Sequence, residues 1–261
     1  MYIIMFLCAV VLNPGGIKDG ILNIFLIQSW FGCASAQSFN SVGWFLSSIM
    51  FSYLIAPAIN RAICLIKGKR TVIYSMVGAL AIIEFLLAIA CRECDEPGQA
   101  GYWLLYFCPL TRAIDFTMGI LMGHTYREPS SDTDIHTSTI REVFVCLTIL
   151  FLLTIGSKVP FYIKASALWC LPSCALVKVF ADSKGTVTAF CNGNALIRYM
   201  GKNSFFFFII HFEVLTFFHR FTPQPLTVVP AYIATILLTE GYVNLSVKKN
   251  LRKESVKHEI E

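Results

Sequence analysis

Arg112 and Asp115 lie three residues apart in an otherwise apolar stretch, Leu110-Thr111-Arg112-Ala113-Ile114-Asp115-Phe116. On a helix this spacing puts both side chains on one face, where they can neutralise each other. Two readings stand side by side: a self-satisfied ion pair, or a guanidinium fork oriented by its carboxylate toward a phosphate or carboxylate ligand. His211 and Glu213, in Ile209-Ile210-His211-Phe212-Glu213, are two apart and so project from different helix faces. A lone His in an apolar helix is either a hydrogen-bonded core residue or a proton carrier. Glu84 and Glu240 are further candidates, with Glu240 near the end of its apolar run. Ionisable groups in such surroundings are costly, and each marks a candidate functional site.

A second group is aromatic and hydroxylic: Ser38-Phe39-Asn40-Ser41-Val42-Gly43-Trp44-Phe45-Leu46-Ser47-Ser48, running on to Tyr53 and Pro57. Physics alone reads it as the start of a helix, with Asn40 as its cap and Trp44 as an interfacial anchor. Ser47 and Ser48 are expected to bond back to the helix backbone. Ten Cys are scattered along the chain, and only Cys91 and Cys94 form a close pair. A structural zinc site needs two such pairs, so the thiols read as ordinary buried side chains and no metal is expected.

The elements that must position these groups are membrane helices. Of 261 residues, 56% are hydrophobic and 14% charged, against about 25% charged in soluble domains, and no water-soluble surface can be built from that. Apolar runs of roughly bilayer length fall at about 40–59, 71–91, 101–123, 142–157, 159–180, 204–221 and 226–246. Two shorter apolar pieces, Met1 to Leu12 and Ile21 to Phe31, precede them across the breaker Asn13-Pro14-Gly15-Gly16, the second a candidate short or re-entrant span. The fold class is therefore an all-α polytopic membrane bundle of seven to nine helices. No cleavable signal peptide is legible, because Met1 runs straight into an apolar stretch without a basic region before it.

Alternating the spans puts Lys18, the loop from Arg61 to Arg70, Arg127, Arg141, the stretch from Lys178 to Lys202 and the tail on one face. The other face holds Arg92, Lys158 and Arg220, while Arg112 and Lys164 fall within spans. Positive residues stay on the cytoplasmic side, so the basic face and the C-terminal tail, 248–261, are expected there. The net charge of +5 thus reads as topology and contact with anionic lipid rather than as a nucleic-acid surface. The less apolar stretch 182–202 reads as a cytoplasmic connector with an interfacial helix.

Gln28-Ser29-Trp30, then Phe39-Asn40 to Trp44-Phe45-Leu46-Ser47, then Tyr53-Leu54 and Pro57 resemble a signature of the acyltransferase 3 family of membrane-bound O-acyltransferases. Arg112 to Phe116 with Gly119 and Gly123 resembles its later Arg-x-x-acid-Phe-x-x-Gly helix. Gly201-Lys202-Asn203-Ser204 followed by Ile210-His211 resembles its Gly-Lys-x-Ser…His helix. The resemblance covers most of the chain, from Gln28 to His211, with the motifs in order, and makes 1–247 a transmembrane acyltransferase domain.

The resemblance implies transfer of an acyl group, acetyl above all, from cytoplasmic acyl-CoA to a sugar hydroxyl of an envelope glycan or lipid-linked sugar in a bacterial inner membrane. It implies no bound cofactor. Asn40, Trp44 and Ser47 would line the acceptor mouth, and Arg112, Asp115 and His211 the core, with His211 a catalytic candidate. The family's His-bearing first helix and its paired Arg residues have no counterpart before Gln28, so the resemblance places the expected catalytic His upstream of Met1. The general base and the CoA contacts of that motif are therefore unassigned, and the N-terminal part of the domain is expected to be missing. Ile49 stands where many members carry an acid. The alternatives are a remnant that has lost activity and a secondary transporter or flippase for a lipid-linked or polar solute. The second explains intramembrane charge, but not the order of the motifs, and no internal repeat is visible.

Overall fold

A chain in hydrocarbon has to satisfy its own backbone hydrogen bonds, which is why these apolar runs fold as helices. The computed structural model describes residues 6–7, 10–11, 15–65, 70–126, 134–182, 184–221 and 227–258, with side chains to Leu245. Met1 and most of the apolar piece that it opens, the breaker residues Asn13 and Pro14, the loop 66–69, Arg127 and the side chains of the basic tail lie outside the described residues. Among the described residues there is no strand.

The first elements described in full are α1 (Ile17–Ile24), a 3-10 turn (Gln28–Trp30) and α2 (Gly32–Ala36). Over the candidate short or re-entrant span at 21–31 the chain is broken: α1 is only eight residues long, and Leu26 takes a left-handed φ of 55° just after it. The bundle proper follows as α3 (Trp44–Leu65), α4 (Arg70–Ala90), α5 (Ala100–Tyr106), α6 (Pro109–His124), α7 (Ile135–Ile155), α8 (Phe161–Lys164) and α9 (Ala167–Asp182). A short helix α10 (Thr186–Gly193) leads to a hairpin of α11 (Ala195–His219) and α12 (Val228–His258).

Among the described residues, six helical segments are long and apolar enough to cross a membrane: Trp44–Leu65, Arg70–Ala90, Ala100–His124, Ile135–Ile155, Phe161–Asp182 and Val228–Leu245. The chain is an integral membrane protein. The run expected at 204–221 belongs to α11, which is continuous over 25 residues and carries Arg198, Lys202, His211 and Glu213. Asn194 starts it by accepting from Leu196 N at 3.0 Å and Ile197 N at 3.1 Å. The connector predicted over 182–202 therefore ends at Asn194, and Gly201 to Ser204 lie inside the helix.

Helix α6 is central, packing against α3, α4 and α9. Ile73, Val77 and Ala81 of α4 recur at helical spacing and meet Met118, Leu121 and Met122 of α6 and Cys170 of α9. At the basic end, Arg70 Nη2 and Lys178 Nζ converge on the Thr125 carbonyl at 3.3 and 2.7 Å, and Lys178 also pairs with Asp182.

The fully buried Glu142 of α7 anchors α10. Its carboxylate accepts from the backbone N–H of Gly185, Val187 and Thr188 at 3.0, 2.9 and 3.3 Å and from the Thr188 hydroxyl at 2.6 Å. Negative charge at a helix start is favourable, and the carboxylate sits so close that a Cβ on Gly185 would collide with it. Outside the membrane, Asp134 caps α7, and hydrogen bonds from Thr137 and His136 hold its carboxyl below the usual range. That contribution is complete above the ordinary aspartate range and is lost as pH falls through the lowered one. For Glu142→Ala we expect amide exchange at Gly185, Val187 and Thr188 to rise tenfold or more, from loss of on the order of 2 kcal/mol of charge-assisted bonding; unchanged protection, read by hydrogen-exchange mass spectrometry, would refute the anchor.

Candidate active site

Pro109 sits at the first turn of α6, where its missing N–H breaks the α5–α6 segment in mid-span. In an unbroken helix the Leu105 carbonyl would accept from residue 109. Arg112 Nη2 takes that place at 2.7 Å, and the Thr111 hydroxyl closes the Leu104 carbonyl at 2.7 Å. Arg112 Nη1 meets Asp115 Oδ2 at 3.0 Å, so the i,i+3 pair predicted from spacing forms. The pair does not exhaust the guanidinium, because Arg112 Nε is buried without a hydrogen-bond partner among the described residues. A second interruption, at Ala165-Ser166 between α8 and α9, faces this one.

Arg112 and Asp115 are the wall shared by two cavities. One, of about 360 Å³, runs between α6 and α9 from Ala165 and Ser166 past Cys170 and Cys174 to Met122 and Val177. The other, of about 340 Å³, lies between α3 and α6 and is lined by Trp44, Phe45, Ser48, Ser52 and Phe116. Both fall within the roughly 300–1,000 Å³ of small-molecule sites. The first extends toward the basic end of the bundle, where Lys178 follows Val177. The second extends toward the opposite end, where α3 begins. Trp44 stands there against Tyr106 and Phe107, with ring centroids 5.0 and 5.4 Å away.

The aromatic and hydroxylic signature is chiefly a clasp. Ser29 donates its hydroxyl to the Trp44 carbonyl at 2.8 Å, and Gln28 Nε2 donates to the Gly43 carbonyl at 2.9 Å. Trp103 Nε1 donates to the Ser29 carbonyl at 2.7 Å. Ser47 is fully buried and accepts from Ser29 N at 3.4 Å. Asn40 closes a turn rather than capping α3, its Oδ1 accepting from Val42 N at 3.0 Å while Nδ2 reaches the Ile209 carbonyl of α11 at 3.4 Å. Phe39 holds φ of 59° in that turn. Asn40 and Ser47 are thus placed behind the cavity wall, and of the signature residues Trp44, Phe45, Ser48 and Ser52 face the cavity. Ser48 does not bond back along its own helix, because Phe107, beside the Pro109 break, offers a carbonyl at 3.3 Å.

His211 is not brought to the ion pair. It lines a third cavity, of about 570 Å³, between α11 and α12 with Met200, Phe207, Phe208, Tyr232 and Ile236. Its Nδ1 lies 2.7 Å from the Phe208 carbonyl. Glu213 is buried and does not line that cavity, and Glu240 is on the surface of α12. The catalytic His that the resemblance places upstream of Met1 falls outside the described residues, as Met1 itself does. Glu84, by contrast, faces the ion pair from α4, with Asp115, Ser166 and Arg112 as its electrostatic neighbours. Its place on the stripe with Val77, Ala81 and Ala88 was legible as helical spacing. Its company on α6 and α9 was not.

The Acyltransferase domain profile of the acyltransferase 3 family matches residues 1–239, so the match takes in Met1 and the segment before Gln28 where the motifs quoted above find no counterpart. The chain is also similar to a protein described as Acyltransferase MdmB from Streptomyces mycarofaciens, at 26% identity over 231 residues. That match covers 84% of this chain and 57% of the relative, so the chain spans little more than half the relative's length. No solved structure matches. The motif order along α3, α6 and α11 and the match over residues 1–239 agree: the chain belongs to the acyltransferase 3 family.

Proposed function

We propose that this chain forms the transmembrane acyl-transfer domain of an O-acyltransferase that carries an acyl group, acetyl foremost, from cytoplasmic acyl-CoA to a sugar hydroxyl of an envelope glycan. The observation that carries this reading is the Arg112–Asp115 pair standing between two cavities directed to opposite ends of the bundle. Donor and acceptor approach from opposite sides of a membrane, and the two have to meet at one polar point.

The cavity between α6 and α9 suits the donor. Its inner end lies toward Arg70 and Lys178, two cations that share one backbone carbonyl and would supply positive charge to the CoA phosphates, with Lys178 exchanging its pairing with Asp182 for that contact. The bias of Lys and Arg toward that end supports a cytoplasmic placement, with the C-terminus on the same side in a bacterial inner membrane. The cavity between α3 and α6 suits the acceptor, since Trp44 offers an apolar face to a sugar ring, and Ser48 and Ser52, whose hydroxyl protons go to the Phe107 and Ser48 carbonyls, offer oxygens that can accept.

In the transfer, the acceptor oxygen attacks the thioester carbonyl, the new C–O bond forms, the C–S bond breaks, and the hydroxyl proton ends on the departing thiol. Arg112, held by Asp115 and the Leu105 carbonyl, would face the negative charge that develops on the carbonyl oxygen. A fixed donor there costs no reorganisation during reaction. The broken helices would also suit a solute carrier; family membership favours transfer.

The test is transfer of labelled acetyl from acetyl-CoA to envelope glycan by membranes containing the protein. Arg112→Lys, which loses the fork but keeps the charge, is expected to lower kcat by about 100-fold, as removal of an oxyanion donor does. Trp44→Ala is expected to raise the acceptor KM. Both variants transferring at the parent rate would sink the assignment. Exchanging Arg70 and Lys178 together for Ala should instead raise the acetyl-CoA KM roughly tenfold or more, with kcat preserved, from loss of charged phosphate contacts. A change confined to kcat would remove them from the donor mouth.

A further inference from the structure

Glu84 is the most deeply buried carboxyl facing the ion pair, 1% exposed. Neither of its oxygens has a hydrogen-bond partner among the described residues. It sits one turn from Ala81 on the α4 stripe that packs on α6 and α9. The titratable and charged groups that face it are Asp115 and Arg112 on α6 and Cys170 and Cys174 on α9. Ser166, whose hydroxyl is also unpartnered among the described residues, adjoins it at the break between α8 and α9. Apart from Glu84, all of these line the cavity between α6 and α9.

The charge inventory of this cluster does not close. Two ionised carboxylates and one guanidinium leave a surplus negative charge at mid-span, and among the described residues no second cation faces the cluster. Arg112 and Asp115 line the cavities, but Glu84 is buried with both oxygens unpartnered among the described residues, so its ionised form would be a buried, uncompensated charge. A single proton held between the carboxyl groups removes the surplus and, in the same step, gives Glu84 an O–H to donate. Asp115 is the acceptor within the cluster, because its carboxylate already holds Arg112.

We infer that Glu84 is a positioning residue: as a neutral acid it donates a hydrogen bond to Asp115 and so fixes the Asp115–Arg112 pair at the junction of the two cavities. It touches no substrate. It does for Asp115 what Asp115 does for Arg112.

An ionised Glu84 acting as a counter-charge and a neutral Glu84 acting as a donor differ in their response to Gln, which can donate a hydrogen bond but cannot ionise. The kinetic arm rests on the acyl-transfer reading. Glu84→Gln is expected to keep kcat within about twofold, and Glu84→Ala to lower it roughly tenfold or more with the acetyl-CoA KM unchanged. The pH profile of Glu84→Gln should coincide with that of the parent. Equal losses in the two variants, or no loss in either, overturn the inference.

The second arm needs no activity. In lipid nanodiscs at neutral pH, the infrared difference spectrum of the parent minus Glu84→Gln should hold a protonated-carboxyl C=O band, which is displaced in Asp115→Asn; the buried Glu213 is common to all three and cancels. A difference spectrum without that band overturns the inference even where no acyl transfer is found. Transfer by the parent with an absent band leaves the transfer reading standing and removes Glu84 alone.

Discussion

The interior of this protein is organised by one proline. An N–H missing from Pro109 leaves the Leu105 carbonyl unpaired at the depth where an unpaired backbone group costs several kcal/mol. Arg112 satisfies that carbonyl, which is why a guanidinium can be stationed in mid-span at all. Its charge then calls for Asp115 one turn on, and its Nε–H is left buried without a partner among the described residues. The break that would weaken a soluble helix here fixes the position of the polar groups on which the proposed chemistry depends.

Around that point the membrane-embedded helices separate two tasks. Helices α4, α6 and α9 close a compact apolar layer that keeps the ion pair from lipid. The Gln28–Trp30 turn and the segment Asn40 to Ser47 do the second task, holding the start of α3 in place through paired backbone carbonyls. Hydrogen bonds from side chains to backbone suit this job, because they tie irregular segments together where no ladder can form. Gly43 suits the close approach there: a Cβ would stand 3.0 Å from the Asn40 carbonyl oxygen, so that the turn would have to shift to admit one. Trp44 is left free to present its face to the cavity.

What could be read from sequence follows the range of each interaction. Spacing of three residues on a helix is local, and Arg112 with Asp115 was legible for that reason. Apolar length made the membrane bundle legible in the same way, while the start of α11 escapes such a reading because Arg198, Gly201, Lys202 and Asn203 interrupt its apolar residues. The motif residues were identified, but their division of labour was not. Asn40 and Ser47 are polar and near Trp44 in sequence, yet the fold turns them inward to hold backbone, whereas Ser48 and Ser52, on the next helical face, reach the cavity. Glu142 and Glu84 act on residues 43 or more positions away or on other helices, and no periodicity in one segment reports such contacts.

The polar content of α11 bears on the arrangement of the whole chain. At 25 residues and 1.5 Å per residue it is about 37 Å long, enough to cross a bilayer of roughly 30 Å hydrocarbon thickness. Its charged residues Arg198 and Lys202 fall in the first two turns, where long side chains can reach the interface, and the Phe205 to Phe208 run follows. If α11 lay along the surface instead, α12 would carry the basic tail to the face opposite Arg70 and Lys178 and split the positive charge between the two sides. A crossing α11 keeps the basic loops and the tail together, and it sets the Asn40 bond to the Ile209 carbonyl at the depth of the α3 signature. The hairpin and the signature then brace each other, through Phe45 against Phe208 at 5.1 Å, on the wall of the proposed acceptor cavity.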